Sequence, residues 1–167
     1  DPLSPAAAAR RSGRPTLAMH DVVRTVAELA ETRRLVLVEG AGGLLVRFDE
    51  EGWTLADLAV ALGAPAVVVT SAGLGSLNTA ALTLEAMAHR GVDLAGLVIG
   101  SWPQQPDLAC RSNVRDLETL AARPLAGALP EGSGALAPDR FTSIATAGLS
   151  PVFGGRFDSI AFRSATD

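Results

Sequence analysis

Lysine is missing from this chain: all fourteen basic residues are arginine. Tyrosine is missing too, and aromatic residues make up only 4% of a composition that is 48% hydrophobic, so the core has to be built from small aliphatic side chains. The lone cysteine, Cys110, excludes an internal disulfide. No apolar run approaches the roughly 20 residues that cross a bilayer, and no segment has the layout of a secretory leader. A cytoplasmic protein without a membrane partner is expected. Positive charge is not in excess either: a formal charge of -4 and a pI near 5.2 give no electrostatic reason to bind nucleic acid or an anionic lipid surface.

Short Val/Ile/Leu-rich runs alternate with amphipathic stretches. Residues 34–40 (RLVLVEG), 64–71 (APAVVVTS) and 94–102 (LAGLVIGSW) read as strands buried on both faces, with 123–130 (RPLAGALP) a weaker fourth. Between them, residues 20–34, 54–63, 76–91 and 107–123 place apolar side chains three and four apart, as helices do. Thr54 before Asp57, Asp107 after Pro106, and Gly63 and Gly91 stand where caps belong. The alternation predicts an α/β fold, a parallel sheet flanked by helices on both faces. Residues 1–148 are expected to form one domain, and 149–167, where the period is lost, a loosely packed C-terminal tail. The opening DPLSPAAAARR, without an initiator methionine, reads as the middle of something longer.

In open α/β sheets ligands gather outside the carboxyl ends of the strands, so the strand exits are the places to weigh. At the first, Glu39 is followed by Gly40, Ala41, Gly42 and Gly43. A carboxylate there can hold Mg²⁺ while small residues admit phosphate oxygens to backbone N–H groups; the alternative is a glycine-rich turn with a solvated acid. At the second, Gly75 leads into a helix from Ser76, whose N–H groups, with those of Leu77 and Asn78, suit a carboxylate or phosphate; alternatively Ser76 is only an N-cap. At the third, Gly100, Ser101 and Trp102 end a strand, and Trp102 either borders a base or packs in the core.

Other candidates point to structure. His20 and His89 lack neighbours at metal-ligand spacing, Cys110 lies on the apolar side of its helix, and the acids at 49–51 are expected to be solvated.

Taken in order, VEGAGGLL, LGSLNTAALT, GLVIGSWP and GALPEG resemble dethiobiotin synthetases, over about residues 5–135. The resemblance implies a P-loop NTPase-like fold, truncated at the N-terminus. The family's GxxxxGK[ST] loop, a second lysine and an aspartate that helps bind Mg²⁺ would lie upstream of Asp1, so this chain is expected to be an inactive fragment by itself. The implied reaction joins CO₂ or bicarbonate to 7,8-diaminopelargonate with ATP, in a homodimer. By resemblance Glu39 is the catalytic Mg²⁺ ligand, with Gly40, Ala41 and Gly42 beside the phosphates. Gly75, Ser76, Leu77 and Asn78 hold the substrate's carboxylate across the dimer interface. Gly100, Ser101, Pro130, Glu131 and Gly132 form the nucleotide-base pocket. Many members carry Asn at the position of Gly100, so ATP or another NTP is implied; Thr79 stands where His is frequent. A related ATP-dependent amidase, which would need a glutaminase domain with a nucleophilic cysteine, and a non-catalytic α/β dimerisation module are the rival readings.

Overall fold

Three of the four expected strands form one sheet. The computed structural model describes residues 2–166, so Asp1 and Asp167, the outer ends of the two regions assigned above, lie outside the described residues. β1 (Ala66–Ser71), β2 (Leu94–Trp102) and β3 (Gly127–Pro130) run parallel in the order β1-β2-β3. The helices are α1 (Pro5–Ser12), α2 (Met19–Thr32), α3 (Leu55–Leu62), α4 (Ser76–Arg90), α5 (Leu108–Ala121), α6 (Pro138–Gly148) and α7 (Ser159–Thr166). The chain divides into two compact units, residues 1–65 with 89–92, and residues 66–88 with 93–167.

The second unit holds the sheet. Leu97 and Ile99 of β2 are fully buried on one face, against Ala80 of α4 and Cys110, Val114 and Leu117 of α5. On the other face a Cβ at Gly127 would meet the Gly148 carbonyl of α6, and one at Gly96 would meet Phe153. Helical turns thus flank both faces, as the alternation predicts. Small residues at 96 and 127 are what let these layers close up.

The last stretch is ordered rather than loose. Phe162 of α7 meets Trp102 edge-on, with ring centroids 4.9 Å apart, and Phe157 lies 5.2 Å from Phe162. Arg163 Nη1 donates to Glu118 Oε2 at 2.6 Å, and the Leu125 N–H donates to Glu118 Oε1 at 3.0 Å. Phe162 thus packs on Trp102 of β2 and on Phe157, and one ion pair joins α7 to α5; a periodicity search can see neither.

The first unit is built around α3. Thr54 Oγ1 accepts from the Asp57 N–H while Asp57 Oδ2 accepts from the Thr54 N–H at 2.8 Å, the expected reciprocal cap, and Gly63 closes the helix. Arg90 reaches Asp57 Oδ1 at 3.0 Å. Trp53 stacks on Phe48 and its Nε1–H donates to the Leu17 carbonyl at 2.9 Å.

One expected strand is absent. Residues 34–40 follow α2 without a strand partner among the described residues, and Leu35 and Leu37 are 71% and 82% exposed. An apolar run reads as a strand because buried strands are apolar, but a strand exists only where a neighbour accepts its N–H and C=O groups. β1 likewise pairs on one side only, with β2, and Val67 and Val69 are exposed.

Candidate functional site

The parallel register brings the second and third strand exits to one edge of the sheet. Ser71 pairs with Ser101, and Trp102 with Pro130. The Glu131 N–H donates to the Trp102 carbonyl at 2.8 Å, and the Ser133 hydroxyl donates to the Pro130 carbonyl. Gly100, Ser101, Pro130, Glu131 and Gly132 therefore form one continuous rim. A Cβ at Gly100 would stand 2.6 Å from Val69 Cγ1, so this position has no room for a side chain unless Val69 turns away.

The start of α4 lies on the same edge, where β1 ends. α3 and α5 begin on side-chain caps, Thr54 and Asp107, but α4 is preceded by Gly75, which has none to offer. Gly75 has φ +88°, a conformation that side-chain-bearing residues rarely adopt. Its carbonyl accepts from the Thr79 N–H at 3.2 Å, and the Ser76 N–H turns back to the Gly73 carbonyl at 3.2 Å. The N–H groups of Leu77 and Asn78 have no acceptor among the described residues. Two free donors at the positive end of a 15-residue helix suit an anion. Ser76 is buried, so its part is to back this turn from inside.

Glu39 is not at a strand exit, because residues 34–40 form no strand; its carboxylate is exposed and has no protein partner among the described residues. Gly40 sits against Leu55, whose Cδ2 would be 2.8 Å from a Cβ there, and Gly42 has φ +85°. The Gly40–Ala41–Gly42 segment is thus a turn that glycine makes possible, next to α3.

Trp102 is a packing residue, held against Phe162. The Cys110 thiol is pushed up from its ordinary pKa first by burial, then by Asp107, which makes it a poor nucleophile and gives no help to the amidase reading. His20 is exposed beside Asp21, Asp49 caps the turn at Gly52, and Glu50 pairs with Arg10. A shallow groove of about 710 Å³ between α1, residues 14–17 and Phe48 contains none of the expected site residues. No helix among the described residues is long and apolar enough to cross a membrane.

Sequence reasoning missed Asn113. It is 6% exposed on α5, and its Nδ2 lies 2.8 Å from the Ala72 carbonyl, 3.0 Å from that of Gly73 and 3.2 Å from Ser76 Oγ. The one signal in the text is a polar residue on the apolar side of its helix.

A parallel sheet flanked by helices makes this an α/β protein, consistent with the P-loop NTPase-like class, and residues 1–137 match the AAA domain family. The chain is 61% identical over 164 residues to the ATP-dependent dethiobiotin synthetase BioD of Frankia casuarinae, covering 98% of this chain and 69% of that protein. It is also 61% identical to the Parafrankia sp. protein of the same name, covering 98% of this chain and 68% of that one. Against the Streptomyces coelicolor protein of that name the identity is 54%, over 97% of this chain and 68% of the relative. The chain belongs to the ATP-dependent dethiobiotin synthetase family, and so to the ligases of biotin biosynthesis.

Proposed function

We propose that the protein closes the ureido ring of dethiobiotin from 7,8-diaminopelargonate and CO₂, entering as CO₂ or bicarbonate, at the expense of ATP. The structural observation that carries the reading is the uncapped start of α4 on the same sheet edge as the rim formed by Gly100, Ser101 and Pro130 to Gly132. In the proposed sequence one substrate amine attacks CO₂ to give a carbamate, the γ-phosphoryl group passes to the carbamate oxygen with release of ADP, and the second amine displaces phosphate.

The N–H groups of Leu77 and Asn78, with Gly75 leaving the approach open and Ser76 behind, hold the substrate's carboxylate, across the interface of a homodimer. The rim borders the nucleotide base through backbone groups, because Gly100 supplies no side chain; this suits ATP without excluding another NTP. Gly40, Ala41 and Gly42 leave space beside the phosphates. Glu39 fits Mg²⁺, because an exposed, unpaired carboxylate is the hard oxygen donor that this ion takes one or two of, together with phosphates and water. When bound, the ion neutralises charge on the nucleotide's phosphates. Residues 1–148 carry the proposed site, and 149–167 follow as a C-terminal segment held on Trp102 and Glu118. A chain without lysine has only arginine and backbone donors beside the bound ion to meet phosphoryl charge, so we expect little turnover from it in isolation.

The test is ADP release by the protein at the length of its relatives. Release that requires both diaminopelargonate and bicarbonate is expected, and release independent of either removes the reading. Glu39→Gln should raise the Mg²⁺ concentration needed for half-maximal rate by about tenfold or more, which is the loss of roughly 1.4 kcal/mol of binding. An unchanged requirement returns Glu39 to a solvated acid.

A further inference from the structure

We propose that Asn113 is a positioning residue for the carboxylate cradle at the start of α4; the inference rests on the reading of that cradle given above. Asn113 is the one side chain of α5 that hydrogen-bonds to the turn between β1 and α4, which it meets three times. Two of its acceptors are the consecutive carbonyls of Ala72 and Gly73, and both therefore face α5. In a trans peptide the N–H points opposite to the C=O, so the N–H groups of Gly73 and Leu74 are turned away from α5. Leu74 itself is 89% exposed. Neither N–H has an acceptor among the described residues, which adds two outward donors to those of Leu77 and Asn78.

The third partner fixes the turn to the helix. Ser76 Oγ accepts from Asn113, while the Ser76 N–H donates to Gly73, whose carbonyl also receives the amide. One buried amide thus ties the end of β1 to the first residue of α4. An uncharged double donor is the group this place needs. Aspartate would set a carboxylate against two carbonyl oxygens, and an apolar residue would leave the Ala72 carbonyl without its partner and the Gly73 carbonyl with the Ser76 N–H alone. Asn113 does not itself face the solvent side of the turn. Its effect on an anion passes through the orientation of the backbone donors.

The experiment compares wild type with Asn113→Asp, nearly isosteric, and Asn113→Ser, smaller and still polar. Two readouts are taken: amide hydrogen exchange at residues 73–78, and the kinetics of the active enzyme. Each variant is first checked for cooperative unfolding. We expect faster exchange at 73–78, a KM for diaminopelargonate raised roughly tenfold to a hundredfold, and a KM for ATP within twofold of wild type. Asn113→Asp should have the larger effect, because its charge also opposes the incoming carboxylate. Asn78→Pro tests the cradle separately, since it deletes one donor at a first-turn position where proline is tolerated. A KM raised by Asn78→Pro but by neither Asn113 variant overturns the positioning role and keeps the cradle. Faster exchange with no change of KM in any variant overturns the cradle and, with it, the inference. A loss of stability with both KM values moved equally makes Asn113 a general packing residue and overturns the inference as well.

Discussion

Replacing Arg163 with alanine tests how α7 is held. The Glu118 side chain is 8% exposed and that of Arg163 37% exposed, with 2.6 Å between Oε2 and Nη1. Removing the guanidinium leaves a buried carboxylate whose remaining donor is the Leu125 N–H. A broken, fully buried pair costs about 3–5 kcal/mol, and a hydrogen bond to a charged group about 1.5–3 kcal/mol. Solvent screens the outer partner, which brings the expectation to about 2 kcal/mol. For a chain of this size that is a fall in melting temperature of about 4–8 °C. Urea unfolding of Arg163→Ala, Glu118→Gln and the double variant gives the coupling directly, and about 1–2 kcal/mol is expected. Limited proteolysis should cut the C-terminal helix of Arg163→Ala first, since Phe157 and Phe162 remain as its anchors. A coupling near zero, with unchanged proteolysis, would refute the argument and leave the docking of α7 to its aromatic side chains alone.

The Thr54 side-chain hydrogen bond, ahead of the other contributions, holds the Asp57 carboxyl below its ordinary value of 3.8, and Arg90 acts in the same direction. A depressed folded value means stability that is complete above pH 4 or so and lost as the pH falls through that value. Asp57→Asn should therefore be less stable than wild type at pH 7 and show a flatter loss below pH 4 in acid-unfolding curves; parallel curves would detach the pH dependence from this residue. Leu117→Ala, at a fully buried core position of α5, should lose about 2–5 kcal/mol in urea unfolding, and a loss under 1 kcal/mol would mean that the core closes around the gap.

The elements legible in the sequence were those with a local signature. Thr54, Asp57 and Asp107 announced two helix starts because capping acts within four residues, and the run at 94–102 was apolar because both faces of β2 are covered, while the run at 66–71 carried the same signal although Val67 and Val69 stay exposed. Residues 34–40 gave the same apolar signal without the neighbour that makes a strand. α1 is alanine-rich with no apolar stripe to detect, and α7 owes its place to Trp102 and Glu118, distant in sequence. At the candidate site the glycines at 75 and 100 stood out in the text. Asn113 did not, since its partners lie about forty residues upstream and only folding brings them together.

Gly75 leaves the first turn of α4 dependent on what the surrounding solution contains. If these N–H groups hold the substrate's carboxylate as proposed, every other anion in the medium competes for them, because backbone donors recognise charge and size rather than identity. Phosphate or sulfate in a buffer would occupy them at high concentration, and an affinity measured there would be lower than one measured in a buffer of bulky, weakly accepting ions. On the proposed reading of this helix start, the choice of counter-ion is part of the binding equilibrium, and titrations in two buffers would report different constants.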